Sequence, residues 1–184
     1  MRLVILDRDG VINEDSDAYI KSPDEWIPVP GSLEAIARLN RAEYRVVVAS
    51  NQSGLARGLF DADTLSRIHE KMHRALADVG GAIDAVFFCP HGPDDECDCR
   101  KPRPGLLQDI ARRLNVSLRG VPAIGDSLRD LQAARSVGAQ PILVLTGKGA
   151  KTQARLQAEG FGDIPVFADL AAVVDALLAE RGEA

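Results

Sequence analysis

Short apolar runs alternate with amphipathic stretches along the whole chain. Val4-Ile5-Leu6, Val46-Val47-Val48, Ala85-Val86-Phe87-Phe88, Val121-Pro122-Ala123-Ile124 and Ile142-Leu143-Val144-Leu145 are each followed by polar or glycine-containing sequence. Runs of this length, with little polar alternation, predict strands buried on both faces of a parallel sheet. Helical periodicity predicts helices near residues 32–42, 61–79, 105–114, 128–137 and 150–159, then an edge strand at Pro165-Val166-Phe167 and a last helix near 168–181. Strand and helix in strict turn predict an α/β fold with a doubly wound, Rossmann-like parallel sheet. Such sheets hold their ligands beyond the carboxyl ends of the strands, so chemistry is expected in the residues that follow each apolar run.

Those residues are unusually polar: Asp7-Arg8-Asp9-Gly10, Ser50-Asn51-Gln52-Ser53-Gly54, Cys89-Pro90-His91 and Gly125-Asp126-Ser127. With 184 residues, 46% hydrophobic and 27% charged, the chain is long enough for a continuous core and far from the composition of a disordered segment. A single domain over 1–184 is expected, with an insertion at about 89–104 rather than a boundary. A net charge of −5 argues against general nucleic-acid or membrane-surface binding, while leaving room for a local basic pocket. No apolar run approaches the roughly 20 residues that cross a bilayer, and no signal-peptide pattern is read at the N-terminus. A cytoplasmic protein acting as a monomer, without an obligate protein partner, is the expectation.

Asp7 and Asp9 leave one buried strand, and Asp126 leaves another after a glycine that permits close approach. Clustered carboxylates suit Mg²⁺, a hard cation that takes oxygen ligands. Its charge would let a carboxylate approach a phosphoryl group that would otherwise repel it. One carboxylate could then attack covalently, and its neighbour could move the proton.

The ordered set resembles the haloacid dehalogenase-like phosphotransferase family, with Asp7-Arg8-Asp9-Gly10-Val11-Ile12-Asn13 as its first motif, Ser50 as its second, Lys101 as its third and Gly125-Asp126-Ser127-Leu128-Arg129-Asp130 as its fourth. The resemblance implies that Asp7 is the nucleophile, Asp9 the general acid and base, and that Mg²⁺ is held by Asp7, the Asp9 carbonyl and Asp126. It also implies that Ser50, the Asn51 backbone and Lys101 stabilise the transferring phosphoryl group. An Asp two residues after the nucleophile is the mark of the family's phosphatases rather than its dehalogenases. Asp130 is a candidate to support the site from behind these ligands, with a helix-surface carboxylate as the favoured alternative. Flap, helix, strand and insertion account for the intervals between motifs, so no large cap domain fits, and substrate selectivity must come from loops.

All three cysteines fall within the insertion, as Cys89-Pro-His91 and then Cys97-Asp-Cys99, directly before Arg100-Lys101-Pro102. Four soft ligands in this cluster predict a structural, tetrahedral Zn²⁺ site with no open coordination position. A disulfide would leave an odd thiol and give the histidine no role. A clamped loop would hold Arg100 and Lys101 rigidly at a phosphate.

The Cys-x-His, Cys-x-Cys-Arg-Lys-Pro, Ser-Asn-Gln-Ser-Gly and Ala-Arg-Gly segments together are similar to the D-glycero-D-manno-heptose 1,7-bisphosphate 7-phosphatase family, and much of the pattern is shared with histidinol-phosphate phosphatases. The resemblance implies hydrolysis of the 7-phosphate of a small phosphorylated sugar through an aspartyl-phosphate, in nucleotide-heptose synthesis for a cell-envelope lipopolysaccharide. It implies substrate contacts from the loop beginning at Asp15 and from Asn51, Gln52, Ser53, Arg100 and Lys101. Arg57, Arg100 and Arg103 would suit a distal second phosphate, because a guanidinium fork matches phosphate oxygens.

Two motifs point elsewhere. His69-Glu70-Lys71-Met72-His73 matches the zinc-peptidase pattern H-E-x-x-H. At about 100° per residue, however, Leu65, Ile68, Met72, Leu76 and Val79 make one apolar stripe with His69 and His73 at its border, which is ordinary helix patterning. Thr146-Gly147-Lys148-Gly149-Ala150-Lys151 lacks P-loop spacing and reads as a strand-to-helix turn. A phospho-acceptor signalling module also combines aspartates, Mg²⁺, a hydroxyl and a lysine. Its accepting Asp should end the third strand, where this chain has Cys89, so turnover is favoured over signalling.

Overall fold

The computed structural model describes residues 2–180 and 182. Six strands, β1 (Arg2–Leu6), β2 (Tyr44–Asn51), β3 (Ala85–Cys89), β4 (Pro122–Gly125), β5 (Gln140–Val144) and β6 (Val166–Phe167), form one sheet in the order β3-β2-β1-β4-β5-β6. Every pairing is parallel. Parallel neighbours need a crossover, and the helices α1 (Ser32–Arg41), α2 (Ala62–Asp78), α3 (Gly105–Leu114), α4 (Leu128–Ser136) and α5 (Gly149–Gln153) supply it, with α6 (Leu170–Ala179) closing the chain.

Side chains of a strand alternate between faces, and the core divides accordingly. Val4, Leu6, Val46 and Val48 point to a layer shared with Leu33, Ile36 and Leu39 of α1, Ile68, Met72 and Leu76 of α2, and Val173 and Val174 of α6. Leu3, Ile5, Val47 and Ala49 point to the opposite layer, with Leu106, Leu107 and Ile110 of α3 and Ala133 and Ala134 of α4. Each such aliphatic side chain contributes roughly 1.5–3 kcal/mol on burial, which explains why the inner strands are apolar on both faces.

The predicted elements are recovered with small shifts, and two differ for physical reasons. The helix expected near 150–159 stops at Gln153. There Phe161 N–H bonds back to the Leu156 carbonyl at 2.7 Å, and Leu156 and Phe161 join a small core with Leu131 and Leu143, so the chain turns inward instead of extending the helix. The third apolar run is an edge strand, not one covered on both sides, and Phe88 is 39% exposed. Arg181, at the end of the last predicted helix, lies outside the described residues.

The chain builds outward from β1 to β2 and β3, then returns to β4 on the other side of β1. That reversal opens a crevice beyond the ends of β1 and β4, the position where an open parallel sheet binds ligands. Between β1 and α1 the chain makes a flap, tied down by the bond from Glu14 N–H to the Ile27 carbonyl at 2.8 Å and that from Val29 N–H to the Ile12 carbonyl at 2.9 Å. Trp26 buries the base of the flap, and Lys71 of α2 donates to the Pro23 and Trp26 carbonyls at 2.7 and 2.9 Å. No helix among the described residues is long and apolar enough to cross a membrane.

Candidate active site

Asp7 is the first residue past β1, and its N–H bonds to the Ile124 carbonyl of β4 at 2.9 Å, which fixes it at the crevice between the two strands. Asp126 is the first residue past β4, held by the Lys148 N–H on its Oδ2 at 2.7 Å. Carboxylate oxygens of Asp7, Asp126 and Asp130 lie within 4.8 Å of one another. Two glycines make this approach possible: a Cβ on Gly10 would fall 2.1 Å from Asp126 Oδ2, and one on Gly147 would fall 2.2 Å from the same atom.

Of the two readings of Asp130, the supporting position is the one observed and the helix-surface one is not. Asp130 is buried, its Oδ2 accepts the Ser127 N–H and hydroxyl at 3.0 and 2.6 Å in a capping box, and its Oδ1 meets Lys101 Nζ at 2.6 Å. Lys101 Nζ also reaches Asp7 Oδ1 at 3.1 Å and the Ala49 carbonyl at 2.6 Å, so its three donors are placed. Burial works against the ammonium, but Asp130 and Asp7 more than offset it and the Lys101 pKa is raised. Burial likewise opposes the Asp130 carboxylate, and Lys101 and Ser127 hold its pKa below the usual range. Asp7 and Asp126 differ: burial, reinforced by like-charged neighbours and only partly opposed by Lys101 at Asp7, pushes their pKa values up to about 7 and about 8. A crowded pair of carboxylates with unmet negative charge is the donor set a hard divalent cation fits.

Asp9 faces another way. Arg8 Nε and Nη2 donate to its two oxygens at 2.9 and 3.1 Å, Asn13 Nδ2 to Oδ1 at 2.9 Å and Gln52 Nε2 to Oδ2 at 3.2 Å. Despite burial, these donors keep the Asp9 pKa below its ordinary value. Gln52 also donates to Ser50 Oγ at 2.7 Å, leaving that hydroxyl free to donate into the crevice.

A cavity of about 340 Å³ opens above these groups, lined among others by Asp7, Asp9, Ser50, Ser53, Lys101 and Asp126, with Asp15, Asn51, Arg57 and Arg100 at its walls. The sequence-predicted residues therefore converge, with exceptions. Gln52 is buried beneath the catalytic loop and does not line the cavity. The Asn51 side chain brackets Lys101, accepting its N–H and donating to its carbonyl, both at 3.0 Å. Arg103 turns outward to the Cys97 carbonyl. Arg129 and Lys148 were not anticipated: both line the cavity, and Lys148 Nζ pairs with Asp15 at 2.9 Å. The turn after β5 thus borders the site, although it has no P-loop geometry. Its position after a strand, with glycines flanking a lysine, was the available signal. Arg100 and Arg129 both line this cavity, and burial together with the Arg129 charge lowers the Arg100 pKa, so two guanidinium groups look onto one volume.

In the insertion, the Sγ atoms of Cys89, Cys97 and Cys99 and a ring nitrogen of His91 lie within 4.8 Å of one another. Cys89 Sγ is 3.8 Å from Cys97 Sγ, His91 Nδ1 is 3.3 Å from Cys99 Sγ, and all three thiols are free. Burial and the neighbouring thiols push Cys89 up to about 12. The nearest pair, Cys89 and Cys99 Sγ, is 3.1 Å apart, shorter than the ~3.7 Å edge expected around a tetrahedral ion with bonds of about 2.3 Å, so the four ligands could hold Zn²⁺ after a small outward adjustment. Arg100 Nη1 donates to the His91 carbonyl at 3.3 Å, which ties the insertion to the cavity wall. In the peptidase-like motif His73 and Glu70 are exposed and belong to neither cluster, while His69 turns inward to Arg8.

Comparison with known proteins agrees with this geometry. A family model described as "HAD-hyrolase-like" matches residues 98–173, and one described as "Polynucleotide kinase 3 phosphatase" matches residues 3–126. The chain is 64% identical over 184 residues to the D-glycero-beta-D-manno-heptose-1,7-bisphosphate 7-phosphatase of Bordetella bronchiseptica, covering 98% of this chain and 99% of the relative. It is 54% identical over 176 residues to the protein of that name from Pseudomonas aeruginosa, covering 96% and 97%. The crystal structure of the B. bronchiseptica D,D-heptose 1,7-bisphosphate phosphatase complexed with magnesium and phosphate superposes with a TM-score of 0.93 at 64% identity, over 98% of this chain and 99% of that one. The corresponding enzyme from Burkholderia thailandensis gives 0.76 at 51% identity, over 97% and 99%.

Proposed function

The chain belongs to the haloacid dehalogenase-like phosphatases, within the family of the D-glycero-beta-D-manno-heptose-1,7-bisphosphate 7-phosphatases, and on that footing we propose that it removes the 7-phosphate of this sugar bisphosphate with Asp7 as nucleophile. The observation that carries the reading is the meeting of Asp7, Ser50, Lys101 and Asp126 at the reversal point of the sheet, under a cavity with arginines at its rim. The relatives are named for the β-anomer, which supports that anomer as substrate. Nucleotide-heptose synthesis is the use that follows for the product.

Asp7 and Asp126, with the Asp9 carbonyl, would hold Mg²⁺, which supplies charge neutralisation and phosphate polarisation when bound. Asp7 attacks the 7-phosphorus, and the bond to the C7 oxygen breaks as the aspartyl-phosphate forms. Ser50 Oγ–H, fixed by Gln52, donates to the phosphoryl oxygens where charge accumulates, and Lys101, anchored by Asp130 and the Ala49 carbonyl, turns to them the donor that it otherwise gives to Asp7 Oδ1. Asp9 hands its proton to the departing C7 oxygen, then takes one from the water that cleaves the phosphoenzyme, so the residue returns to its starting state. Arg100 and Arg129, with Arg57 stacked 5.9 Å over Tyr19, suit the distal 1-phosphate. Lys148 and Asp15 border the sugar between.

We read Zn²⁺ in the Cys89, His91, Cys97 and Cys99 cluster as structural, in a reducing cytoplasm where thiols persist. The strand-end loops serve one cavity, which supports a single catalytic domain over 1–184.

Asp7→Asn tests the assignment. A carboxamide cannot serve as the nucleophile, so turnover should fall by about 10³ or more, and acid-quenched wild type, but not the variant, should carry phosphate on the peptide containing Asp7. Phosphate found on another residue, or undiminished turnover, would remove Asp7 from this role.

A further inference from the structure

Arg8 stands between the two catalytic aspartates and is fully buried, its side chain turned into the protein. A buried guanidinium requires acceptors on every edge, since an unpaired charge in the interior is strongly destabilising. Asp9 supplies them for Nε and part of Nη2. The far edge is met by two other groups: Gln52 Oε1 on Nη2 at 3.4 Å, and His69 Nε2, from the middle of α2, on Nη1 at 3.3 Å. Arginine can only donate, so His69 must be the acceptor, neutral and with its proton on Nδ1. The imidazole is packed against Phe88, with ring centroids 6.3 Å apart, and burial together with the Arg8 charge lowers its pKa to about 4.

This arrangement bears on a difficulty in the reaction, and it rests on the reading of Asp9 as acid and base. Held by Arg8, Asn13 and Gln52, Asp9 is a stable carboxylate, yet to protonate a leaving sugar oxygen it must carry a proton and weaken its bond to Arg8. That is costly if Asp9 is the sole counter-group of a buried cation. We propose that His69 is a positioning residue, holding Arg8 from its far edge so that Asp9 can be released to the leaving oxygen without stranding the guanidinium. The half of the H-E-x-x-H motif that faces the interior is thereby given a role unconnected with metal.

Leaving-group dependence separates this role from a merely structural one. Departure of a sugar alkoxide needs a proton, whereas p-nitrophenolate, the anion of a far stronger acid, departs without one. The kcat/KM value reports only steps up to formation of the aspartyl-phosphate, so Asp9's later work as base does not enter. His69→Leu, which removes the acceptor, is expected to lower kcat/KM on the heptose bisphosphate about tenfold while leaving that on p-nitrophenyl phosphate within about twofold. His69→Gln, which keeps an acceptor, is expected to recover most of the sugar-phosphate activity. If the leucine variant does not fold, His69→Phe keeps a ring against Phe88 without an acceptor and serves in its place. Equal losses on both substrates, no loss on either, or a glutamine variant as impaired as the acceptor-less one would overturn the proposal. Wild type is assayed alongside, and its inactivity on the sugar phosphate would instead count against the proposed function itself.

Discussion

Gly10 and Gly147 meet across Asp126, and neither can carry a side chain there. Gly147 has a φ of 56°, and a Cβ on it would fall 2.2 Å from Asp126 Oδ2 and 2.6 Å from the Gly10 Cα. Backbone lies on one side and the Asp126 carboxylate, a proposed Mg²⁺ ligand, on the other, so Gly147→Ala must displace Asp126. The Mg²⁺ concentration for half-maximal activity should rise by about tenfold or more, and stability should fall by more than the roughly 1 kcal/mol that a positive φ alone costs, because the added Cβ also crowds the Gly10 backbone. Titrating activity with Mg²⁺ checks this, and an unchanged requirement would show that Asp126 is not a ligand. At this scale Asp7, Asp9, Ser50, Lys101 and Asp126 were legible because Ser50 sits at the carboxyl end of a strand and the others follow a strand or lie in the loop it sets. Arg8, Arg129 and Lys148 were not, because the cues are three-dimensional. Arg8 owes its inward turn to alternation beyond β1, Arg129 to the first turn of α4. Asp130 did carry a local cue in Ser127-Leu128-Arg129-Asp130, a capping-box pattern that places the carboxylate at the helix N-terminus rather than on its outer face.

Among the elements, the 89–104 insertion carries the Cys89, His91, Cys97 and Cys99 cluster, which on the proposed reading holds it together through Zn²⁺. Cys97 and Cys99 are only partly buried and directly precede Arg100 and Lys101, and Arg100 is tied to the cluster through the His91 carbonyl. Cys97→Ser should reduce bound zinc from near one per chain to near zero and lower Tm by about 5 °C or more. Metal analysis and calorimetry read both quantities, and a variant that loses zinc with unchanged Tm and activity would contradict a clamp. Helix and strand positions were legible from periodicity, since the inner strands are apolar on both faces and α2 buries Leu65, Ile68, Met72 and Leu76 along one stripe. The early end of α5 was not, because the inward turn is set by Phe161 packing on Leu156 and Leu131, a contact between segments with no local signature.

For the molecule as a whole, gathering carboxylates at one sheet edge links pH, metal and stability. Asp7 and Asp126 have folded pKa values of about 7 and about 8, raised by burial above an ordinary 3.8, so the folded metal-free chain binds these protons more tightly than the unfolded chain. Their contribution to stability is present below the unfolded value and is lost as pH rises through 7 and 8. Asp9 and Asp130 have the opposite sign, and their contribution is already complete well below neutrality. Without divalent metal, Tm should therefore fall between pH 6 and pH 8.5. Mg²⁺ needs the deprotonated pair, so its affinity should rise about tenfold or more over the same interval and restore Tm at the alkaline end. Affinity independent of pH would remove these carboxylates from the metal site.

On the proposed function, Arg57, Arg100 and Arg129 at the cavity wall are the groups expected to separate a bisphosphate from a monophosphate. The most direct measurement is kcat/KM with Mg²⁺ for D-glycero-beta-D-manno-heptose 1,7-bisphosphate against histidinol phosphate under identical conditions. A preference for the heptose of about a hundredfold or more, roughly 2.7 kcal/mol of differential transition-state binding, is the expected result. Equal rates, or a preference for histidinol phosphate, would contradict it.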